Sequence, residues 1–213
     1  MFDGMLFDLD GTLWDSVDSI CLSWNRVLGA HDPALAGTLT REKLIGCMGM
    51  LLPDIFRKLL PQLPPETLAA MEEELMEAEN SWVAVHGGIL YPGVEKTLGE
   101  LSADYPLFIV SNCQAGYIEA FFQAHGLGQY FTDFENPGRT GKPKAENIAL
   151  VVARNGLKHP LYIGDTQGDC NAATAAGVPF LHAAYGFGVI DHAVPAVHAF
   201  AEIPAAVRRL SPP

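Results

Sequence analysis

The chain has 213 residues, 49% hydrophobic and 18% charged, a globular composition long enough to bury a core without disulfides or metals. Its net charge is −12, and no Lys/Arg cluster large enough to neutralise phosphates is visible, so neither nucleic acid nor an anionic membrane is expected as a partner. No apolar run reaches the roughly eighteen residues of a membrane span. The acidic start Met1-Phe2-Asp3-Gly4 lacks the basic region of a secretory signal. Cys21, Cys47, Cys113 and Cys170 form no C-x-x-C pair, so reduced thiols and a cytoplasmic location are expected.

Gly4-Met5-Leu6-Phe7 is a short apolar run that enters Asp8-Leu9-Asp10-Gly11-Thr12, which predicts a buried strand ending in a functional loop. From Asp15 the period changes. Val17, Ile20, Cys21, Trp24, Val27 and Leu28 fall at helical spacing, with Asp15 or Ser16 as the N-cap. Helical character continues to about Trp82. Thr40 caps a helix through Leu44 and Ile45, and Pro53 opens another through Phe56, Leu59 and Leu60. Pro64-Pro65 starts a third, with Leu68, Met71, Leu75 and Ala78 on one face. Glu66, Glu73, Glu74, Glu77 and Glu79 are expected on a solvated face.

The remainder alternates. Leu107 to Val110 reads as a strand ending at Ser111-Asn112, and Tyr117 to His125 as a helix closed by Gly126. Ala145 to Asn155 is helical up to Gly156, and Leu161-Tyr162-Ile163 is a strand ending at Gly164-Asp165. An Ala-rich helix closed by Gly177 and a strand over Val178 to Leu181 follow. The tail from Leu210 to Pro213 is expected to fray. The pattern predicts an α/β fold: a Rossmann-like parallel sheet with helices on both faces, carrying a small helical cap inserted after its first strand. The core is expected over 1–14 and 89–213 and the cap over 15–88, with Leu13-Trp14 leading out and Gly87-Gly88 and Pro92-Gly93 leading back.

In an open parallel sheet, ligands sit at the carboxyl ends of the strands. Four polar stops occur there: Asp8-x-Asp10-x-Thr12, Ser111-Asn112, Lys142 in Gly141-Lys142-Pro143, and Asp165 with Asp169 in Gly164-Asp165-Thr166-Gln167-Gly168-Asp169. Clustered carboxylates repel one another and call for a cation. A few hard oxygen ligands suit Mg²⁺, and Ser, Asn and Lys donors suit phosphate oxygens. One strand-end Asp can attack phosphorus, and a second, two residues on, can protonate the leaving oxygen and later activate water.

These four motifs, in this order and across essentially the whole chain, resemble the phosphatase branch of the haloacid dehalogenase superfamily. The length and position of the cap are similar to those of the phosphoglycolate phosphatase and β-phosphoglucomutase group, as is Tyr185-Gly186-Phe187-Gly188. The resemblance implies Asp8 as nucleophile, Asp10 as general acid/base, and Thr12, Ser111, Asn112 and Lys142 at the phosphate. It implies Mg²⁺ held by Asp8, the backbone carbonyl of Asp10, and Asp165, with Asp169 supporting the metal shell. The expected activity is Mg²⁺-dependent hydrolysis of a small, phosphoglycolate-like phosphomonoester by a monomer or weak homodimer.

Two alternatives remain open at this stage: a β-phosphoglucomutase-like mutase, and a phosphate-binding regulatory module without turnover. Cys113-Gln114 follows Asn112 where many phosphoglycolate phosphatases have a lysine, and the Lys43 to Met50 stretch of the cap, expected to face the site, is mostly apolar. The seven histidines show no ligand spacing, and packing is the expected role of Cys113 and Cys170.

Overall fold

Both faces of the run Gly4-Met5-Leu6-Phe7 are covered, which is why it carries no polar alternation. In the computed structural model, which describes residues 1–210, this run is strand β1 (Gly4–Phe7). Met5 and Phe7 join one hydrophobic cluster and Leu6 another, all at 0% exposure. Such a strand belongs in the middle of a sheet. Numbering elements in chain order, β1 pairs in parallel with β4 (Leu107–Val110) on one side and β6 (Pro160–Gly164) on the other. The neighbours divide the same way. Leu107, Ile109, Leu161 and Ile163 join the first cluster, and Phe108, Val110 and Tyr162 the second.

Parallel strands β5 (Phe131–Glu135), β7 (Phe180–Ala183) and β8 (Ala196–Val197) complete a sheet of order β5-β4-β1-β6-β7-β8. Helices α5 (Val94–Asp104), α6 (Tyr117–His125) and α10 (Ile203–Leu210) cover the first face. Helices α8 (Lys144–Arg154) and α9 (Gln167–Ala175) cover the second. A short helix, α7 (Pro137–Thr140), precedes α8.

The chain leaves the core through β2 (Trp14–Asp15) and returns through β3 (Ile89–Leu90), and these two strands pair antiparallel. Between them the structure is helical: α1 (Val17–His31), α2 (Arg41–Ile45), α3 (Leu52–Leu59) and α4 (Pro65–His86) form the cap. Trp24 of α1 packs on Phe56 of α3, with ring centroids 5.0 Å apart. At the crossing, Trp14 sits edge-on to Phe121 and His125, at 4.9 and 5.3 Å.

Some expectations shift. Ser16 stands at the start of α1, but the Val17 N–H donates to Asp15 Oδ1 at 3.1 Å, leaving the Ser16 hydroxyl for Asp10. The strand expected over Val178 to Leu181 runs from Phe180 to Ala183, because Pro179 has no N–H for the ladder. Strand β5 escapes pattern reading because it lies at the sheet edge and its sequence, Phe131-Thr132-Asp133-Phe134-Glu135, neither runs apolar nor alternates. Leu210 ends α10 as helix rather than fraying, and Ser211-Pro212-Pro213 lie outside the described residues. Among the described residues, no helix is long and apolar enough to cross a membrane.

The largest departure in the cap is Glu79. Glu66, Glu73, Glu74 and Glu77 are exposed as expected, but Glu79 is 3% exposed. It falls in the same helical stripe as Leu68, Met71, Leu75 and Val83, the buried residues of α4. Position on the helix, not residue type, decides its burial.

Candidate active site

The carboxyl end of β1 delivers Asp8, and the carboxyl end of β6 delivers Asp165, one strand over. Asp169 joins them from the first turn of α9. One oxygen from each of Asp8, Asp165 and Asp169 lies within 4.8 Å of the other two, and all three residues are buried. Thr166 and Asp169 form a reciprocal cap on α9: the Thr166 N–H and hydroxyl donate to Asp169 Oδ2 at 2.9 and 2.7 Å. This fixes the Asp169 carboxylate, whose other oxygen accepts from a lysine.

That lysine is Lys144. Its Nζ lies 2.8 Å from Asp8 Oδ1 and 2.6 Å from Asp169 Oδ1, and its side chain is 4% exposed. Lys142, expected here, does not enter the cluster. Its side chain is 51% exposed and faces Glu146 at 3.7 Å. Pro143 provides the physical reason. It stands at the N-cap of α8, so Lys144 becomes the first helical residue, on the buried stripe with Asn147, Ile148 and Val151. Lys142 precedes the helix, and its carbonyl is held by Asn147 Nδ2 at 3.0 Å.

Three carboxylates against one ammonium leave a formal charge of −2 in a buried site. Burial first, and then Asp169, push the Asp8 carboxyl well above the ordinary range against the pull of Lys144. Asp165 is raised for the same two reasons. Burial alone would lower Lys144, but Asp169 and Asp8 hold it firmly protonated. Asp165 Oδ1 is buried with no hydrogen-bond partner among the described residues. An orphaned carboxylate oxygen beside two more carboxylates is the donor set a divalent cation fits, and hard oxygen ligands suit Mg²⁺.

Two close backbone approaches hold Asp165 in place. A Cβ at Gly11 would stand 2.2 Å from Asp165 Oδ2, and Gly11 has φ +84°. A Cβ at Gly186 would stand 2.3 Å from the Gly11 carbonyl oxygen and 2.4 Å from Asp165 Cβ. Only glycine fits at either place. The next N–H, of Phe187, donates to Asp165 Oδ2 at 2.7 Å. The Tyr185-Gly186-Phe187-Gly188 segment is thus part of the site's wall, a role its resemblance signalled without naming the bond.

Asp10 stands apart from the three carboxylates. Its Oδ1 accepts from the Ser16 hydroxyl and from Tyr117 Oη, the latter at 3.0 Å, and removal from water raises its carboxyl above the ordinary range despite both bonds. Thr12 is fully buried, and its hydroxyl has no partner among the described residues. Ser111, 4% exposed, follows β4 beside the cluster's strand. Asn112 donates from Nδ2 to the Gly49 carbonyl at 3.0 Å, tying the core to the cap stretch that precedes α3. The sequence reading gives Lys144, Ser16, Tyr117 and Glu79 no part in the site. The helical stripe would have found Lys144 and Glu79, whereas Ser16 and Tyr117 carry no pattern linking them to Asp10.

A model of the haloacid dehalogenase-like hydrolase family matches residues 5–183. The chain belongs to this family. It is similar to the phosphoglycolate phosphatases of Escherichia coli K12 and Salmonella typhimurium, at 28% and 27% identity over 86% of this chain and 82% of theirs. Its fold matches a haloacid dehalogenase-like hydrolase from Streptococcus pneumoniae with TM-score 0.81 at 21% identity, covering 96% of this chain and 97% of that one. It also matches a mutant of CbbY from Rhodobacter sphaeroides in complex with xylulose-(1,5)bisphosphate, with TM-score 0.76 at 16% identity and coverages of 95% and 96%. Family membership and the Asp8, Asp165 and Asp169 cluster together identify a haloacid dehalogenase-type phosphatase.

Proposed function

We propose that this haloacid dehalogenase-like hydrolase cleaves a small phosphomonoester through an aspartyl-phosphate on Asp8, with a leaving group about the size of glycolate. The observation that carries the reading is the joint placement of Asp8 against Lys144 and Asp165, with Asp10 at the edge of a cavity under the cap. An Asp8 oxygen attacks phosphorus, and the bond to the leaving-group oxygen breaks while Asp10 gives that oxygen its proton. Water then attacks the same phosphorus, Asp10 takes the water's proton, and phosphate leaves with Asp8 regenerated. Hydrogen bonds from Ser16 and Tyr117 keep Asp10 oriented through both steps.

Asp8 and Asp165 are the residues that would hold Mg²⁺, with the backbone carbonyl of Asp10 beside them and Asp169 fixing the shell from Lys144 and Thr166. Bound there, the cation would neutralise the carboxylates and the developing charge on phosphate. Lys144 supplies the fixed positive charge assigned from sequence to Lys142, and Thr12, Ser111 and Asn112 offer hydroxyl and amide groups to phosphate oxygens. The four cysteines are free and buried, in keeping with a cytoplasmic protein. The acidic charge fits a monomer or weak homodimer that does not bind nucleic acid.

Phosphate release from a panel of small phosphomonoesters, sugar phosphates and nucleotides, run with Mg²⁺ and with chelator, tests the assignment. Release is expected only with Mg²⁺, and Mg²⁺ is expected to raise the midpoint of thermal unfolding by relieving the repulsion at Asp8 and Asp165. Release that survives chelation would remove the metal from the scheme.

A further inference from the structure

Behind Asp10, cap and core enclose a small cavity of about 40 Å³. Ile20, Leu44 and Ile55 of the cap make it apolar on one side. Its polar end is Trp24, Glu79 and Gln114. The Trp24 Nε1–H donates to Glu79 Oε2 at 2.8 Å, so the carboxyl is held in place rather than free to swing out. Among the described residues, no lysine, arginine or histidine lines this cavity, and its only ionisable carboxyls are Asp10 and Glu79.

We propose that Trp24, Glu79 and Gln114 form the leaving-group subsite, and that it selects an uncharged, hydroxyl-bearing leaving group over one that carries a carboxylate. The proposal rests on the reading that Asp10 protonates the leaving-group oxygen. A general acid lies within hydrogen-bond reach of the oxygen it protonates. The atoms beyond that oxygen therefore enter the cavity that Asp10 lines. A carboxylate placed there meets no cation, and a buried charge without a partner is strongly disfavoured. A hydroxyl instead finds the Glu79 carboxyl and the Gln114 amide, and a carboxyl group hydrogen-bonds a hydroxyl in either protonation state.

A second, outer cavity of about 420 Å³ lies between cap and core, with Lys142 in its wall. It shares Leu52, Asn112, Cys113 and Gln114 with the inner one but reaches neither Asp10 nor Glu79. It is the place where a carboxylate would find a positive charge, and the two cavities therefore make opposite forecasts.

Two near-isosteric substrates separate them: 2-hydroxyethyl phosphate and phosphoglycolate, which differ chiefly in the group at the far carbon. For the wild-type protein with Mg²⁺, kcat/KM is expected to be at least about tenfold higher for 2-hydroxyethyl phosphate. Glu79→Ala, which removes the hydroxyl's partner, is expected to narrow that ratio, chiefly by weakening 2-hydroxyethyl phosphate. Equal or better turnover of phosphoglycolate by the wild type overturns the proposal. If that preference then disappears in Lys142→Ala, the leaving group occupies the outer cavity. Calorimetric binding of both compounds to Asp8→Asn, with Glu79 intact, gives the order without turnover or a cap variant. The same order without phosphate release by the wild type would keep the subsite and overturn the hydrolase reading. Equal affinities would overturn the subsite.

Discussion

Asp8→Asn is expected to lower phosphate release by at least about 10⁴-fold, because the amide has no ionised oxygen with which to attack phosphorus. The substitution keeps the shape of a residue that is 1% exposed, so lost turnover should not be lost folding. Circular dichroism and the thermal midpoint check that half of the expectation. The covalent half is checked by acid quench during turnover and mass spectrometry of the peptide bearing Asp8, which should be phosphorylated in the wild type alone. Activity above about one per cent of wild type would remove Asp8 as the nucleophile and leave direct attack by water as the alternative.

The second large effect is expected at Lys144. Truncation to Ala takes a buried ammonium from Asp8 and Asp169 at once and leaves both carboxylates without their cation. Breaking a buried pair in this way costs about 3–5 kcal/mol, and the lost charge stabilisation should lower kcat by about 10²–10³-fold. Part of the stability loss should return with Mg²⁺, since the metal neutralises the same carboxylates. Part of the rate loss should remain at saturating Mg²⁺, because a bound metal would neutralise a different part of the developing charge from the lysine. Lys142→Ala removes only an exposed pair with Glu146, and should change stability by no more than about 0.5 kcal/mol. Thermal unfolding and steady-state rates of the two variants, each with and without Mg²⁺, settle which lysine serves the carboxylates. A more damaging Lys142→Ala would reverse the assignment.

The two lysines also mark how far the sequence could be read. Strands β1, β4 and β6 announce themselves because an apolar run without alternation has few homes other than a sheet covered on both faces. The acidic positions Asp8, Asp10, Asp165 and Asp169 are legible for a related reason, since each follows such a run where a parallel sheet presents its ligands. Lys142 and Lys144 both fit a loop-to-helix junction by type, and only the phase of α8 separates them. Phase also misassigned Glu79. Its neighbours made an acidic face plausible, yet counting from Leu75 by four places it inward beside Trp24. What no local pattern contains is the pairing of distant residues, such as Tyr117 with Asp10 or Phe187 with Asp165. Those contacts exist only after the chain has closed.

Holding a carboxyl group under the cap also makes the protein's stability depend on pH. Burial, reinforced by the charge of Asp10, lifts Glu79 from 4.5 to about 8, with Gln114 and Trp24 pulling against the rise. The folded chain therefore keeps a proton that the unfolded chain releases, and stability must fall as pH climbs through that interval. At about 1.4 kcal/mol per unit, the loss is on the order of a few kcal/mol and is complete once Glu79 ionises in the folded state. Glu79→Gln abolishes that contribution while leaving an acceptor for Trp24. Its thermal midpoint should run increasingly above that of the wild type between pH 5 and pH 9, and parallel curves would mean Glu79 is already charged in the native protein. The cap would thus be most firmly seated in mildly acidic solution and progressively easier to lift in alkaline solution.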